Sequence, residues 1–422
     1  MTLTPSSIRI NEQRFKTNFE ALSRIGATDA GGVQRPALSV ADLEARAWLR
    51  ERIEAAGLEY ACRRPTGDAA GNQSALLRGN REGAPHFMLG SHLDTVPNGG
   101  RFDGALGVLA ALEVLQTIKE TGYIPAICLE AINFTDEEGT HIGLLGSRAL
   151  TGKLTGEDLG HPNQGVEAFD SGLYRLGLTR DGILGAYREP RMIAGYLELH
   201  IEQGPTLAEC GEEIGIVTAI VGIRRLKLRF TGKADHAGTT SILRRRDPGR
   251  AACTFAAHAW EAVLRDFADC VINVGNMRFE PGIFNVVPAA VTLDLELRAS
   301  SNPRLAALHD ALVHLAQQEA KEAEVELEIT LAEDIAPAAM DLAVQDTLIE
   351  SAQSSGRKYR LMPSGAGHDA QNFADICPTG MIFIPSVAGV SHSPKEFSHW
   401  QDCVNGVNLL LQAAIELAHV PT

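Results

Sequence analysis

The chain has 422 residues, with 38 Lys and Arg against 53 Asp and Glu, a formal charge of −15, and 45% hydrophobic against 22% charged residues. Length and composition fit two or three domains with buried cores and exclude a disordered chain. The acidic balance, with no basic run longer than Arg244-Arg245-Arg246, argues against nucleic-acid binding, and that run reads as a solvated surface without a role.

The opening stretch is polar and no apolar run is long enough to cross a bilayer, so neither a secretory signal nor a spanning helix is expected. Cys62, Cys128, Cys210, Cys253, Cys270, Cys377 and Cys403 are odd in number, scattered and without a C-x-x-C pair. They read as free thiols of a reducing, cytoplasmic compartment, which leaves histidine and carboxylate to hold any metal.

In chain order, HFMLGSH (86–92) reads as a buried strand. DGALGVLAALEVLQTIKETG (103–122) reads as a helix, with Leu106, Leu109, Leu112 and Leu115 near helical spacing, Asp103 at the cap position and Gly122 as the stop. AICLEAINF (126–134), GYLELH (195–200) and MIFIPS (381–386) read as further buried strands, so the larger domain is expected to hold a mixed, largely parallel sheet flanked by helices. From Gly222 to about Glu333 the pattern becomes β-α-β-β-α-β: strands at 223–232, about 271–279, 289–298 and 325–331, helices at 247–266 and 303–322. That order closes one antiparallel sheet with two helices on one face, a ferredoxin-like α+β domain inserted at 218–333 between catalytic segments 1–217 and 334–422.

The candidate chemistry lies at strand ends, where ligands collect in open α/β sheets. His92 ends the first strand, with Asp94 placed to hold its ring and Asp103 following the loop; His200 and His392 end GYLELH and IPSVAGVSH. Asp136, Glu137 and Glu138 follow the second strand with no adjacent Lys or Arg. Like charges about 4 Å apart repel by about 4 kcal/mol at an effective dielectric near 20, so such acids are costly in a crevice unless a cation gathers them. Asp136 reads as part of a solvated turn; the two glutamates do not. Three histidines, Asp103 and one glutamate make five N/O ligands with a carboxylate able to bridge, suited to two divalent ions, and the other glutamate is left for proton transfer.

The segments GSHLDTVPNGGRFDGALGVLAALEVL, TDEEGTHIGLLGSRALTG, YLELHIEQGPTLAE, GKADHAGTT, FNVVP, SGAGHDAQ and GVSHSPKE resemble the hydantoinase/carbamoylase amidases, from about residue 10 to the C-terminus. The resemblance implies a zinc-aminopeptidase-like catalytic domain and two divalent ions per subunit, Zn²⁺, Mn²⁺, Co²⁺ or Ni²⁺. It places one ion on His92, Asp103 and His200 and the other on Asp103, Glu138 and His392, with Asp103 as the bridge and Glu137 as the general base acting on a metal-bridging hydroxide. It implies that His236 is supplied across a homodimer formed through the inserted lid and dimerisation domain, that Asn285 and Arg298 bind the substrate carboxylate, and that Gln203 and His368 line the pocket. With Arg298 so distant in sequence from the ligands, hinges are expected near Gly215 to Gly222 and Ala336 to Ala339.

Three departures fall outside the ligand set: Thr140-His141-Ile142 where many members carry x-Arg-Phe, Ser241-Ile242 where many carry Pro-Met, and Arg225 where an aromatic is common. The expected reaction is hydrolysis of the carbamoyl C–N bond of an N-carbamoyl-L-amino acid or related ureido acid. The alternatives are allantoate or ureidoglycolate hydrolysis, hydrolysis of an N-acyl amino acid or dipeptide, and a binding protein without turnover, which an intact Glu137 and ligand set disfavour.

Overall fold

The computed structural model describes residues 8–62 and 67–419. It divides into two compact units, one comprising the chain up to Thr218 with Met340–Met362 and the chain from Ala366 onward, the other Ala219–Ala339 with Pro363–Gly365. The second boundary lies beyond the expected 333 because the last strand of the smaller unit runs on to Ile335 and Ala338–Ala339 pairs with Ala219 and Ile220. The chain crosses between the units again on either side of 363–365, which the sequence reading did not anticipate.

In the larger unit four parallel strands form the centre of a nine-stranded mixed sheet, in the order Leu129–Phe134, His86–His92, Ile193–Ile201, Thr379–Ile384. Antiparallel strands extend it on both sides, Gln73–Leu77 on one and Ile214–Ile220 on the other. Nearly every residue of the four central strands is buried, as a parallel sheet covered on both faces requires. Helices Ala105–Glu120 and Trp400–Leu417 pack together on one face, burying Leu109, Leu112, Leu410 and Leu411 in a common core. A second cluster, around Phe169, Leu145 and Leu173, gathers the segments that follow Phe134. Among the described residues no helix is long and apolar enough to cross a membrane.

The helix after the first loop starts one residue later than expected. Its N-cap is Gly104 at φ 62°, without a side-chain cap, while Gly122 at φ 73° ends it as anticipated. Asp103 does not cap the helix because its carboxylate is engaged elsewhere, as described below.

The smaller unit holds a four-stranded antiparallel sheet in the order Glu326–Ile335, Gly222–Thr231, Ala290–Ala299, Val271–Glu280, together with a short pair formed by Asp235–His236 and Val286–Val287. Alternation decides its faces: Leu226, Leu228 and Phe230 with Val291, Leu293, Leu295 and Leu297 point to the core, where Phe255, Leu308 and Leu312 of helices Pro248–Asp266 and Asn302–Glu322 meet them. Both helices begin with proline in the first turn behind a capping side chain, Asp247 and Ser301. The opposite face is charged.

Candidate active site

The four central strands all end on one edge of the sheet, and the loops leaving that edge carry the candidate ligands. His92 is the last residue of its strand and 1% exposed. Its Nδ1 lies 3.0 Å from the backbone carbonyl of Asp94 and therefore carries the proton, which leaves the Nε2 lone pair bare. That Nε2 is buried without a hydrogen-bond partner. The Asp94 carboxylate stands beside the same nitrogen as expected, Oδ1 at 3.7 Å, but the hydrogen bond is made by the carbonyl, and the carboxylate also accepts from the N–H groups of Glu137 and Glu138, at 3.3 and 3.1 Å.

His200, next to last in Ile193–Ile201, repeats the device, with Nδ1 2.9 Å from the carbonyl of Ile201 and Nε2 3.1 Å from Asp103 Oδ1. The N–H of Gly104 donates to that Nε2 at 3.2 Å. A Cβ on Gly104 would fall 2.4 Å from the His92 ring, so only glycine lets the backbone pass between the two imidazoles.

Asp103 is the centre of the arrangement. Its Oδ1 faces His92 Nε2 at 3.5 Å and His200 Nε2 at 3.1 Å, while Oδ2 faces His392 Nε2 at 3.4 Å. Glu138 Oε2 lies 3.5 Å from the same His392 nitrogen. Thus ligand atoms of His92, Asp103 and His200 lie within 4.8 Å of one another, as do those of Asp103, Glu138 and His392. His392 does not end a strand as expected: it sits in the loop after Thr379–Ile384, at φ 52°, with its side chain half exposed.

Glu137 stands beside this set, Oε2 3.5 Å from His92 Nε2. Burial pushes its carboxyl well above the usual carboxylate range, and the charge of Glu138 adds to the effect. Burial, reinforced by Asp103, takes Glu138 up to about 7. Burial acts the same way on Asp103, but His200, His392 and His92 overcome it and hold that carboxyl well below its ordinary range. His392 rises to about 9, chiefly through its hydrogen bond to Asp103.

Asp136 corrects the sequence reading. It is fully buried at φ 55°, and its carboxylate accepts the N–H groups of His141 and Ile142 at 2.9 and 2.7 Å, shaping the loop from inside. His368 is buried edge-on to the His200 ring, 4.5 Å between centroids, and burial holds its imidazole well below the usual range. Gln203 turns its amide to Asp103, Nε2 donating to Oδ2 at 2.7 Å, while its Oε1 is buried without a hydrogen-bond partner.

The remaining expected residues belong to the smaller unit. His236 and Asn285 are neighbours there, the Ala237 N–H donating to the Asn285 carbonyl at 3.0 Å and His236 pairing with Val286. His236 Nδ1 accepts from the N–H groups of Gly238 and Thr239, so the ring proton is on Nε2. Arg298 is held by Glu296 at 2.8 Å and by the carbonyl of Gly365 at 2.6 Å. Arg225 bonds the same Glu296 at 2.8 Å, which ties the departure at 225 to the expected carboxylate binder. Sequence reasoning missed Glu296, which the pair Arg225 and Arg298 on neighbouring strands signals, and Ser391 and Glu396, which lie within four residues of His392.

The donor set suits divalent ions. Among the described residues the ion pairs of Asp103, Glu137 and Glu138 are with imidazoles only. A buried, partnerless Nε2 beside acids in excess is the condition a cation relieves.

The family described as Peptidase family M20/M25/M40 matches residues 88–416. An N-carbamoyl-L-amino acid amidohydrolase of Geobacillus stearothermophilus is 36% identical, over 97% of this chain and 99% of its own. An allantoate amidohydrolase of Bacillus subtilis is 34% identical over 95% and 96%. A crystal structure of an amidase of the hydantoinase/carbamoylase family from Burkholderia multivorans superposes with a TM-score of 0.87 at 31% identity, covering 99% of this chain and all of that one. The chain belongs to Peptidase family M20/M25/M40, among the amidohydrolases that cleave C–N bonds other than peptide bonds.

Proposed function

We propose that this amidohydrolase binds two divalent ions and hydrolyses the ureido C–N bond of an N-carbamoyl-L-amino acid, with Glu137 as the general base. The observation that carries the reading is the division of Asp103: one oxygen serves His92 and His200, the other His392. His92, Asp103 and His200 would hold one ion, and Asp103, Glu138 and His392 the other, drawn from Zn²⁺, Mn²⁺, Co²⁺ and Ni²⁺ according to supply. Ions bound there supply Lewis acidity at the scissile carbonyl and acidify water at neutral pH.

The protein's own groups do the rest. Glu137 accepts a proton as the water oxygen bonds to the ureido carbon, then delivers it to the amino nitrogen as the C–N bond breaks. The amine leaves, and the carbamate that remains falls apart to ammonia and carbon dioxide. The carbonyls of Asp94 and Ile201 keep the His92 and His200 rings in the tautomer that binds metal. For His236, Asn285 and Arg298 as substrate binders, for Gln203 and His368 as pocket residues, and for a homodimer through the 219–339 unit, the support is the motifs alone. The free cysteines fit the cytoplasmic compartment suggested by the sequence.

Allantoate or ureidoglycolate hydrolysis is the second reading, favoured by the similar identity to the Bacillus subtilis protein. Hydrolysis of an N-acyl amino acid or dipeptide is the third. Ammonia release from N-carbamoyl-L-amino acids, allantoate and ureidoglycolate, against amine release from acyl amino acids and dipeptides, separates them. Carbamoyl substrates should be turned over fastest and a chelator should abolish the activity; faster turnover of another class would replace the proposed substrate. Arg298→Ala should raise KM for the carboxylate-bearing substrate by about tenfold or more, the loss of a charged hydrogen bond worth about 1.5–3 kcal/mol. Unchanged kinetics would retire Arg298 from substrate binding.

A further inference from the structure

The loops that carry Asp103 and His392 are far apart in the chain, and one buried side chain joins them. Glu396 is 4% exposed. Its Oε1 accepts the N–H groups of Phe102 and Asp103, at 2.8 and 3.1 Å, and its Oε2 lies 2.9 Å from the Ser391 hydroxyl. That hydroxyl is also 3.0 Å from Asp103 Oδ2. The chain closes round the carboxyl so tightly that a Cβ on Gly100 would fall 2.0 Å from it.

A charged acid beside the like charge of Asp103 is a poor choice for stability alone, since two backbone N–H groups are satisfied by any oxygen. What the carboxylate adds is reach in two directions. One oxygen fixes the backbone from which Asp103 projects, and the other fixes Ser391, the residue before His392. The rings of His92 and His200, by contrast, are set by strand ends and backbone carbonyls.

We propose that Glu396 is a positioning residue that sets the spacing of Asp103 and His392, and through it the affinity of the Asp103–Glu138–His392 set for its ion. Ser391 is the hydroxyl link in the same device. The inference rests on the two-ion reading above, and its test is a binding measurement independent of substrate. Metal-free wild type, Glu396→Ala, Glu396→Gln and Ser391→Ala are titrated with Co²⁺, followed by visible absorption and calorimetry, with the melting temperature of each metal-free protein recorded.

Wild type should bind in two steps. In Glu396→Ala one step should weaken about 10–100-fold, the usual cost of removing a group that orients a ligand, while the other, which shares Asp103 but not His392, weakens much less. Glu396→Gln keeps an oxygen for the two N–H groups and should lose less, in the same step, as should Ser391→Ala. Wild-type affinity for both ions in a folded Glu396→Ala, or equal weakening of both steps, would overturn the proposal. Should Glu396→Ala not fold, wild-type binding by both Glu396→Gln and Ser391→Ala would overturn it equally. Wild type that binds no Co²⁺ would bring down the two-ion reading itself.

Discussion

The two units handle charge in opposite ways. On the open face of the smaller sheet acids meet arginines: Glu280 has Arg229 at 2.9 Å, and Glu296 lies between Arg225 and Arg298. These pairs are partly exposed, and such pairs contribute little to stability. At the strand edge of the larger unit Asp103 is buried and Glu137 and Glu138 are partly so, and among the described residues their ion pairs are with imidazoles only. The larger unit also contains its own control. Glu130, on the very strand that leads to Glu137, is buried with Ser74, His86 and Arg188 all bonded to it, and Arg188 and His86 overcome burial to hold it ionised. Glu130 is supplied with cations by the chain and is structural; the crowding of Asp103, Glu137 and Glu138 without Lys or Arg is what the proposed ions would relieve.

The contrast has a large consequence at Glu137. Glu137→Gln removes the base and none of the expected ligands, so turnover should fall about 10²–10⁴-fold, the usual worth of general acid–base catalysis, while elemental analysis finds the metal content unchanged. A variant that turns over normally would remove Glu137 from its role, and one that loses metal would make it a ligand.

A smaller effect is expected at the control. The Cys128 thiol and the Glu130 carboxylate raise His86 from 6.5 to about 9. A group whose pKa is raised by folding adds stability that is fully present below its unfolded value and is lost as the pH climbs through the folded one. The stability gap between wild type and His86→Ala, measured by urea unfolding, should therefore be widest below pH 6.5 and close above about 9. A gap independent of pH would show that His86 acts by packing alone.

The smallest effect belongs to the exposed pairs. Arg229→Ala should change the unfolding free energy by less than about 1 kcal/mol. A larger loss would mean that the open face of the smaller sheet is not the lightly bonded surface described above.

Much of this contrast is legible in the sequence. Continuous apolar runs ending at His92, Phe134 and His200 give the parallel strands, and residues that cluster at one sheet edge give the candidate ligands. What escapes is whatever depends on a backbone group meeting a side chain. Asp136 reads as solvated because nothing in the chain announces that the N–H groups of His141 and Ile142 will close over it. Asp94 is legible as a partner for His92, but that its carbonyl rather than its carboxylate takes the hydrogen bond is not, because a carbonyl is invisible in a residue name. Asp103 reads as a helix cap because the residues that claim its carboxylate, Gln203 and Ser391, lie far along the chain. His392 reads as a strand end because a loop held at positive φ can follow an apolar strand without a break in the pattern.

The shared carboxylate of Asp103 is the claim on which the rest depends, and elemental analysis of Asp103→Ala beside wild type, both refolded from the metal-free state with excess Zn²⁺ and then desalted, tests it most directly. The expected result is two ions per wild-type chain and a loss reaching both sites in the variant, because each set gives up a ligand. Two ions retained by a folded Asp103→Ala would contradict the account.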